Sequence, residues 1–243
     1  PTIIHGLDSV SPKFGLTHRH IYKAINQNVD LSIGDALNRI EDGSIGWTYI
    51  DQSKYCKPLH DLVPLRNKLV KRTVLNTVES LIGPIKGINT HSILGYVHKP
   101  YPPIYASLAD QAGFSSSLLI RGVEGGVVPS LRQKGMMVSY FKGEEKDRVD
   151  IDPKTIGIHR ELRAISIPKE FESLKNRNSL ATYVAELGQS ALSGKDGMFY
   201  DGLVYSASLI LWHVGREETL LSASEKVRGV LDASSALNRI RNK

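Results

Sequence analysis

Two short segments of the chain contain residue types that can bind a charged ligand. The first runs from His5 to Ser11 and continues through Lys13 to Gly15. Its small residues let backbone N–H groups approach an anion, and the Lys13 ammonium supplies positive charge. The segment therefore predicts an anion-binding loop made of His5, Gly6, Ser11 and Lys13. The alternative is a tight strand-to-helix turn that carries a surface lysine.

The second segment runs from Arg121 to Gly126, where three glycines flank one carboxylate, Glu124. A carboxylate at a strand end can bind a metal ion or a ribose hydroxyl, and Mg²⁺ usually takes one or two carboxylates plus substrate phosphates. We place Arg121 and Gly122 as candidate substrate-binding residues and Glu124 as a candidate metal ligand. Backbone flexibility is the alternative reason for the glycines.

A third group of candidates is basic and consists of Arg66, Lys68, Lys71 and Arg72. On a helix, Lys68 shares one face with Lys71 and Arg72, because residues three and four apart are neighbours there. Such a face either binds an anion or is simply solvated, and the sequence leaves both interpretations open.

Alternating strand and helix patterns must position these residues, which predicts an α/β fold with a mainly parallel central sheet flanked by helices. Ligands bind beyond the carboxyl ends of parallel strands, where both candidate loops fall. Strands are predicted at 1–4, 46–50, 92–97, 116–120 and 136–141. Helices are predicted at 17–26, 32–41, 62–82, 102–112, 179–192, 202–213 and 222–238, and 143–153 is predicted to be a solvated loop.

Composition excludes several classes of protein. One cysteine, Cys56, permits no intrachain disulfide, and no apolar run reaches the roughly 18 residues of a membrane span. The eight histidines lack the spacing of a zinc site, and no Walker lysine, GxSxG or dinucleotide motif is present. A net charge of +6 over 243 residues favours anionic partners, either nucleic acid or phosphorylated small molecules.

The order of segments resembles a known family. The run from Pro64 to Asn76, followed by Leu81 to Ile85, resembles the VRxxLGxRTIFNxxGPL stretch of anthranilate phosphoribosyltransferases. His5 and Gly6 stand where those enzymes have the HG of a KHGNR loop, and Gly122 to Gly125 stands where they have GxDE. The resemblance covers nearly the whole chain and is most specific between Arg66 and Pro84.

The resemblance implies a large α/β domain on which a helical N-terminal domain packs, with 5-phosphoribosyl 1-pyrophosphate and Mg²⁺ bound between them. By similarity, Arg66 matches the arginine that contacts the anthranilate acceptor, so Arg66→Ala is expected to weaken acceptor binding. Glu124 matches the first carboxylate of the metal-binding pair. We expect 1–243 to be one such α/β domain, truncated upstream, without the GTGGD phosphate loop and the helical domain.

Departures from the family pattern fall at the ligand-binding positions. Ile4, Leu7 and Asp8 replace the Lys, Asn and Arg of KHGNR, and a carboxylate beside pyrophosphate would repel it. Gly125 replaces the second acid of the metal pair. These changes, together with the basic charge balance, favour a divergent branch with degenerate substrate motifs that binds nucleic acid or another polyanion.

An active, Mg²⁺-dependent phosphoribosyltransferase of the tryptophan-biosynthesis type is the second hypothesis, and a structural subunit of a larger assembly is the third. In the family, dimers form through the helical domain, so a homodimer through that missing domain is the alternative assembly. We expect a soluble intracellular protein without a membrane partner, or a plastid protein if the source is a plant.

Overall fold

The computed structural model describes residues 1–8, 15–69, 71, 73–171 and 177–242. Its strands are β1 (Thr2–Gly6), β2 (Trp47–Asp51), β3 (His91–Gly95), β4 (Ser116–Ile120), β5 (Gly135–Phe141) and β6 (Glu144–Ile151). Its helices are α1 (His18–Ala24), α2 (Ile33–Glu41), α3 (Gln52–Tyr55), α4 (Lys57–His60), α5 (Val63–Arg66), α6 (Leu75–Leu81), α7 (Tyr101–Gln111), α8 (Arg177–Leu192), α9 (Met198–His213), α10 (Leu220–Asp232) and α11 (Ser235–Arg241). Short 3-10 helices are found at Val123–Gly125, Pro153–Ile156 and Lys169–Phe171.

The chain divides into two compact units. Unit 1 consists of Pro1–Ile85, Ile167–Gln189 and Leu237–Lys243, and unit 2 consists of Lys86–Ser166 and Ser190–Ala236. The interpretation of 1–243 as one α/β domain stays a prediction.

Unit 1 contains a parallel pair of strands, β1 and β2, in which His5 lies opposite Ile50 and Gly6 lies opposite Asp51. Two helices, α1 and α2, lie between β1 and β2 in the chain, and the sequence predicts the start of each. Thr17 is the N-cap of α1, and the Ser32 hydroxyl caps α2 by accepting the Asp35 N–H at 3.1 Å. These two caps confirm the predicted helix starts, because serine and threonine satisfy amides that have no partner in the first turn.

Unit 2 contains a four-stranded sheet in the order β3-β4-β5-β6. β3 and β4 are parallel, as expected of strands joined by the crossover helix α7, whereas β5 and β6 pair antiparallel. All five residues of β4 are buried, the two serines as well as Leu118, Leu119 and Ile120, which agrees with the prediction of a buried strand over 116–120. Leu118 and Ile120 of β4 belong to the main core cluster together with Val204 and Leu209 of α9. The predicted strand–helix–strand run is therefore confirmed.

The prediction of a solvated loop over 143–153 is wrong, because Glu144–Ile151 forms strand β6. Lys142 and Gly143 connect β5 to β6 with φ of 48° and 77°, the backbone of a two-residue hairpin turn. The acidic and basic residues are mostly exposed on this edge strand. Charged side chains commonly protect a sheet edge from pairing with another chain, so their presence does not indicate a loop.

The predicted single helix over 62–82 is also wrong. α5 ends at Arg66 and α6 begins at Leu75; among the described residues between them, Lys68 lies in a turn and Lys71 in a bend. The predicted basic helical face of Lys68 and Lys71 therefore does not form, and Arg72 lies outside the described residues. Thr73 and Val74 are β-branched and favour helix weakly, which agrees with the late start of α6.

The helix predicted over 222–238 is likewise two helices. α10 ends at Asp232 and α11 begins at Ser235. Ser234 between them has a φ of 55°, a left-handed conformation that interrupts a right-handed helix. The alternation of helices and strands nevertheless confirms the α/β class.

Across the part of the chain that the structure describes, none of the helices combines the length and apolar character needed to cross a membrane.

Candidate functional site

At the carboxyl edge of the two strands in unit 1, His5 and Gly6 lie inside β1, so they are strand residues and not the loop that the sequence predicts. The His5 Nδ1 lies 2.9 Å from the Tyr55 hydroxyl oxygen. Burial lowers the pKa of His5, and the charge of Glu79 opposes that effect. A neutral, hydrogen-bonded imidazole at this edge can bind a polar ligand group.

Asp8 follows this edge directly, and its exposed carboxylate lies 3.1 Å from His20 Nε2. Ser11 and Lys13, the other predicted anion-binding residues, lie outside the described residues. The anion-binding loop therefore stays a prediction.

Arg66 is the most deeply placed of the predicted site residues, with 2% of its side chain exposed. Its guanidinium forms a two-pronged ion pair with Glu79: Nη1 bonds Oε1, and Nη2 bonds Oε2 at 2.8 Å. Gln52 Nε2 also donates to Glu79 Oε1 at 2.8 Å. The guanidinium edge that would bind an acceptor carboxylate is thus occupied by a carboxylate of the chain itself.

Asp51, the last residue of β2, is a buried carboxylate that the sequence analysis does not select. It accepts from Arg19 Nη1 at 3.0 Å, from the Ser53 hydroxyl at 2.7 Å and from the Ser53 N–H at 3.0 Å. Arg19 also donates to Asp30 at 2.8 Å. The signal was an acid directly after an apolar strand, the position at which parallel strands present polar groups.

In unit 2, the loop after β4 is folded tightly on itself. Val123 N–H donates to Val128 O at 2.9 Å, and Gly126 N–H donates to Val123 O at 2.9 Å. A Cβ on Gly122 would lie 1.8 Å from Gly126 O, and one on Gly95 would lie 2.1 Å from Gly125 O. Glycine is therefore required at both positions by the close approach of the protein's own backbone. Whether Gly122 also contacts a substrate stays a prediction.

Glu124 projects from this loop with a φ of 54°. Its Oε1 lies 3.0 Å from Arg163 Nη2, and both side chains are largely exposed. Within residues 1–8, 15–69, 71, 73–171 and 177–242, no three His, Cys, Asp or Glu side chains group to hold a metal ion. A single carboxylate already paired with a guanidinium does not fit Mg²⁺ without phosphate oxygens from a ligand.

The predicted site residues fall into two sets. His5, Gly6 and Arg66 belong to unit 1, whereas Arg121, Gly122 and Glu124 belong to unit 2. Within unit 1, His5 and Arg66 have a common neighbour in Glu79, which acts electrostatically on His5 and pairs with Arg66. In unit 2, Arg121, Gly122 and Glu124 share one strand-end loop.

Beside this loop, unit 2 carries a short ladder of aromatic rings. The centroids of His98 and Tyr101 are 6.0 Å apart, and those of Tyr101 and Tyr105 are 5.5 Å apart, with tilts of 38° and 44°. His98 and Tyr101 are exposed, as is Lys99 between them. We call His98, Lys99, Tyr101 and Tyr105 the ring ladder.

The opposite end of the same sheet contains a buried polar chain around His213, a residue that sequence reasoning missed. His213 Nε2 lies 2.8 Å from the Ser116 hydroxyl, and its Nδ1 lies 3.0 Å from the Ser139 hydroxyl. Ser116 in turn lies 2.7 Å from His91 Nδ1. Burial lowers the pKa of His213 to about 4, assisted by His91 and Lys146 and opposed by Asp147. The imidazole is therefore neutral near neutral pH.

We expect the free energy of unfolding to fall as pH falls from 6.5 towards 4 because of His213. The unfolded chain binds this proton near 6.5 and the folded chain near 4, so the contribution is complete above 6.5 and lost below 4. The loss amounts to about 3 kcal/mol. Urea unfolding followed by Trp212 fluorescence in a Trp47→Phe background measures it. A His213→Gln protein with the same pH dependence would contradict this assignment.

Comparison with known proteins identifies a protein family and several relatives that are similar to this chain. The model of the glycosyl transferase family, a/b domain, matches residues 5–237. An uncharacterized protein of Aquifex aeolicus is 30% identical over 175 residues, which are 71% of this chain and 51% of that protein. Anthranilate phosphoribosyltransferase of Aeropyrum pernix is 24% identical over 227 residues, 93% of this chain and 61% of that enzyme. The chain thus spans between half and two thirds of these relatives.

Solved structures share the fold. Anthranilate phosphoribosyltransferase from Thermus thermophilus matches with a TM-score of 0.71 at 15% identity, over 99% of this chain and 76% of that chain. The Saccharomyces cerevisiae enzyme in complex with PRPP and Mg matches with a TM-score of 0.70 at 14% identity, over 98% and 71% of the two chains. The fold expected from the sequence resemblance is confirmed.

Proposed function

The chain belongs to the glycosyl transferase family defined by this a/b domain, and from that premise we propose that it binds nucleic acid or another polyanion instead of making phosphoribosyl anthranilate. It is an anthranilate phosphoribosyltransferase-like protein whose substrate motifs have diverged. Single-stranded nucleic acid is the polyanion to which the ring ladder is best suited.

The unit 1 residues support the loss of the transferase reaction. An acceptor carboxylate would have to displace Glu79 from Arg66, although the two are held by paired charge-assisted hydrogen bonds. Asp8 adds negative charge two residues after Gly6 of the HG dipeptide. Both features disfavour an anionic acceptor and a pyrophosphate group at this edge.

The ring ladder is the observation that carries the proposal. Bases of a single strand stack on exposed aromatic rings while cations contact the phosphates, and such binding tolerates any base. A base can stack on the exposed end of the ladder, whose rings contact each other in tilted pairs. Two exposed cations are available for the phosphates: Lys99 within the ladder and Arg121 at the start of the loop after β4. This loop is a neighbour of the ladder, because Gly125 lies close to the Val97 side chain. The net charge of +6 agrees with this partner.

We expect a fluorescently labelled oligothymidylate to bind the protein with an affinity that falls between about 50 and 200 mM salt. Tyr101→Ala should weaken binding by about tenfold, because one stacked base loses its ring. Lys99→Gln should lower the salt dependence by about one counterion. Fluorescence anisotropy across a salt series measures both effects.

Two controls make this test specific. Tyr101→Phe keeps the ring and should bind as well as the wild type. Lys134→Gln removes an exposed lysine of the same unit and should leave the affinity unchanged. If no binding is found at low salt, or if Tyr101→Phe and Tyr101→Ala weaken binding equally, the ring ladder is not the binding surface.

An active phosphoribosyltransferase is the second candidate function. Family membership favours it, as do Arg66 in the segment that resembles the family and the similar fold of the Saccharomyces cerevisiae enzyme, which binds PRPP and Mg. In that case Arg66 would orient the acceptor carboxylate, with Mg²⁺ and backbone donors stabilising the leaving pyrophosphate. Phosphoribosyl transfer to anthranilate, measured with Mg²⁺ on the longest natural form of the protein, decides between the two.

A further inference from the structure

Four side chains of unit 2 form a line of hydrogen bonds that runs from strand β5 to the surface at β3. They are Ser139 of β5, His213 of α9, Ser116 of β4 and His91 of β3, and the successive distances are 3.0, 2.8 and 2.7 Å. We call these four residues the His–Ser network. Ser139, His213 and Ser116 are buried, whereas His91 is exposed. The network therefore joins a buried imidazole to one that solvent protons reach.

The direction of hydrogen donation in the network follows from the Ser139 hydroxyl. Within the part of the chain that the structure describes, this hydroxyl has one hydrogen-bonding partner, His213 Nδ1. A buried hydroxyl hydrogen without an acceptor costs free energy, so Ser139 donates and His213 Nδ1 accepts. The hydrogen of the neutral His213 ring is then on Nε2, which donates to the Ser116 hydroxyl oxygen.

Ser116 continues this direction to His91. Because its oxygen accepts from His213 Nε2, its own hydrogen is available for His91 Nδ1. His91 Nδ1 therefore accepts, and the hydrogen of the neutral His91 ring is on Nε2. His91 is exposed, so water can accept from that Nε2–H. Each donor then has a partner, and donation runs one way from Ser139 to His91.

The surroundings of the two rings make His91 the first to take up a proton. Burial lowers the pKa of His213 to about 4, with further lowering by His91 and Lys146 and an opposing effect of Asp147. Phe141 packs on His213 with ring centroids 5.3 Å apart, and Lys146 Nζ lies 4.7 Å from the Phe141 centroid. Burial also lowers the pKa of His91. His213 is the more deeply buried ring, so His91 is protonated first as the pH falls.

A proton on His91 is incompatible with this direction of donation. Both nitrogens of a charged imidazole donate, so Nδ1–H would face the hydrogen of the Ser116 hydroxyl. Reversing the whole network would remove that conflict, but it would leave the buried Ser139 hydroxyl hydrogen without an acceptor. Release of the exposed His91 ring costs one hydrogen bond at the surface, where water replaces the ring as the partner of Ser116. Release is therefore the smaller change.

We propose that the His–Ser network is a pH-sensitive latch: neutral His91 closes it by accepting from Ser116, and protonated His91 opens it at the surface. His91 and Ser116 are the first residues of β3 and β4 and lie opposite each other in the sheet. Opening the latch frees the first side chain of β3, whereas Ser116, His213 and Ser139 stay bonded. The latch lies wholly within unit 2 and does not depend on the proposed function.

Nitrogen NMR of the histidine rings in the isotope-labelled, 243-residue protein tests the latch between about pH 8 and 5, where an exposed imidazole changes charge. Ring nitrogen shifts distinguish the two neutral tautomers from the charged ring. At the upper end of this range we expect both His91 and His213 to carry their hydrogen on Nε2. As the pH falls, His91 should become charged while His213 stays neutral and unchanged. Conversion of His213 to the Nδ1–H tautomer as His91 titrates would show that the network reverses, and would overturn the latch.

Ser116→Ala removes the donor to His91 and should raise the pH midpoint of the His91 titration by about 0.7 pH units, because the neutral ring loses the hydrogen bond that favours it. Ser117→Ala is the matched control. Ser117 is a buried serine of the same strand that pairs with Ser92 at 2.7 Å, outside the network, so the His91 midpoint should not change. Equal midpoints in the Ser116→Ala and Ser117→Ala proteins contradict the proposal.

His91→Asn tests the opening itself, because an amide oxygen accepts from Ser116 but does not titrate. In the wild type, exchange of the Ser116 hydroxyl hydrogen with water should become about tenfold faster as His91 takes up its proton, beyond the change that pH alone causes. In His91→Asn this additional acceleration should be absent. An exchange rate that responds to pH in the same way in both proteins overturns the latch.

Discussion

Replacing Gly122 with alanine is expected to lower the free energy of unfolding by about 4 kcal/mol. The added Cβ would lie 1.8 Å from Gly126 O, 2.6 Å from Gly126 C and 2.9 Å from Val128 O. All three atoms are backbone, so no side-chain rotation relieves the overlap. The loop must open, which breaks the bond from Val123 N–H to Val128 O. Chemical denaturation followed by Trp212 fluorescence, with and without Gly122→Ala in a Trp47→Phe background, measures the loss.

Gly229→Ala is the matched control in the same unit. Gly229 lies within α10, and a Cβ there meets no atom within 4 Å. This substitution should raise the free energy of unfolding by about 0.5–1 kcal/mol, because alanine loses less backbone entropy in a helix. Two variants with similar small effects would show that the loop after β4 is not packed as described.

The sequence predicted the parts of the fold that depend on local chemistry. The caps at Thr17 and Ser32 depend on residues within one helical turn, and β4 contains three successive apolar residues, so neighbouring residues are enough to predict both features. The sequence does not predict β6, because its run of charged residues is more typical of a solvated loop. Lys142-Gly143 is a better indication of a hairpin than the charges are of a loop, because it directly follows the predicted strand 136–141. In the structure both residues have positive φ and form the two-residue turn of that hairpin.

The candidate site was less predictable because its contacts link residues distant in sequence. Arg66 and Glu79 are 13 residues apart across the interruption between α5 and α6, and no spacing rule joins them. The sequence pattern indicates that Arg66 can bind a carboxylate, but it does not indicate that this carboxylate belongs to Glu79 of the same chain. The family resemblance found the strand-end residues, whereas the tertiary structure showed their partners.

Arg66→Ala is expected to lower the free energy of unfolding by about 4 kcal/mol, as is usual when one partner of a buried ion pair is removed. Of its hydrogen bonds from the described side chains, Glu79 would keep the one from Gln52, although its carboxylate is only 12% exposed. The Arg66→Met/Glu79→Leu protein should be more stable than Arg66→Ala, because it removes both charges and keeps apolar volume. Urea unfolding followed by Trp47 fluorescence in a Trp212→Phe background compares the three proteins.

Lys57→Ala is the control, because it breaks an exposed pair with Asp61 and should cost at most about 0.5 kcal/mol.

The same unfolding experiment, repeated with anthranilate, tests whether Arg66 pairs with Glu79 or binds the acceptor. If the guanidinium is committed to Glu79, anthranilate should not raise the free energy of unfolding of the wild-type protein, since a ligand stabilises only the state that it binds. A clear stabilisation by anthranilate that Arg66→Lys abolishes would instead show that the acceptor displaces Glu79, and would favour the transferase.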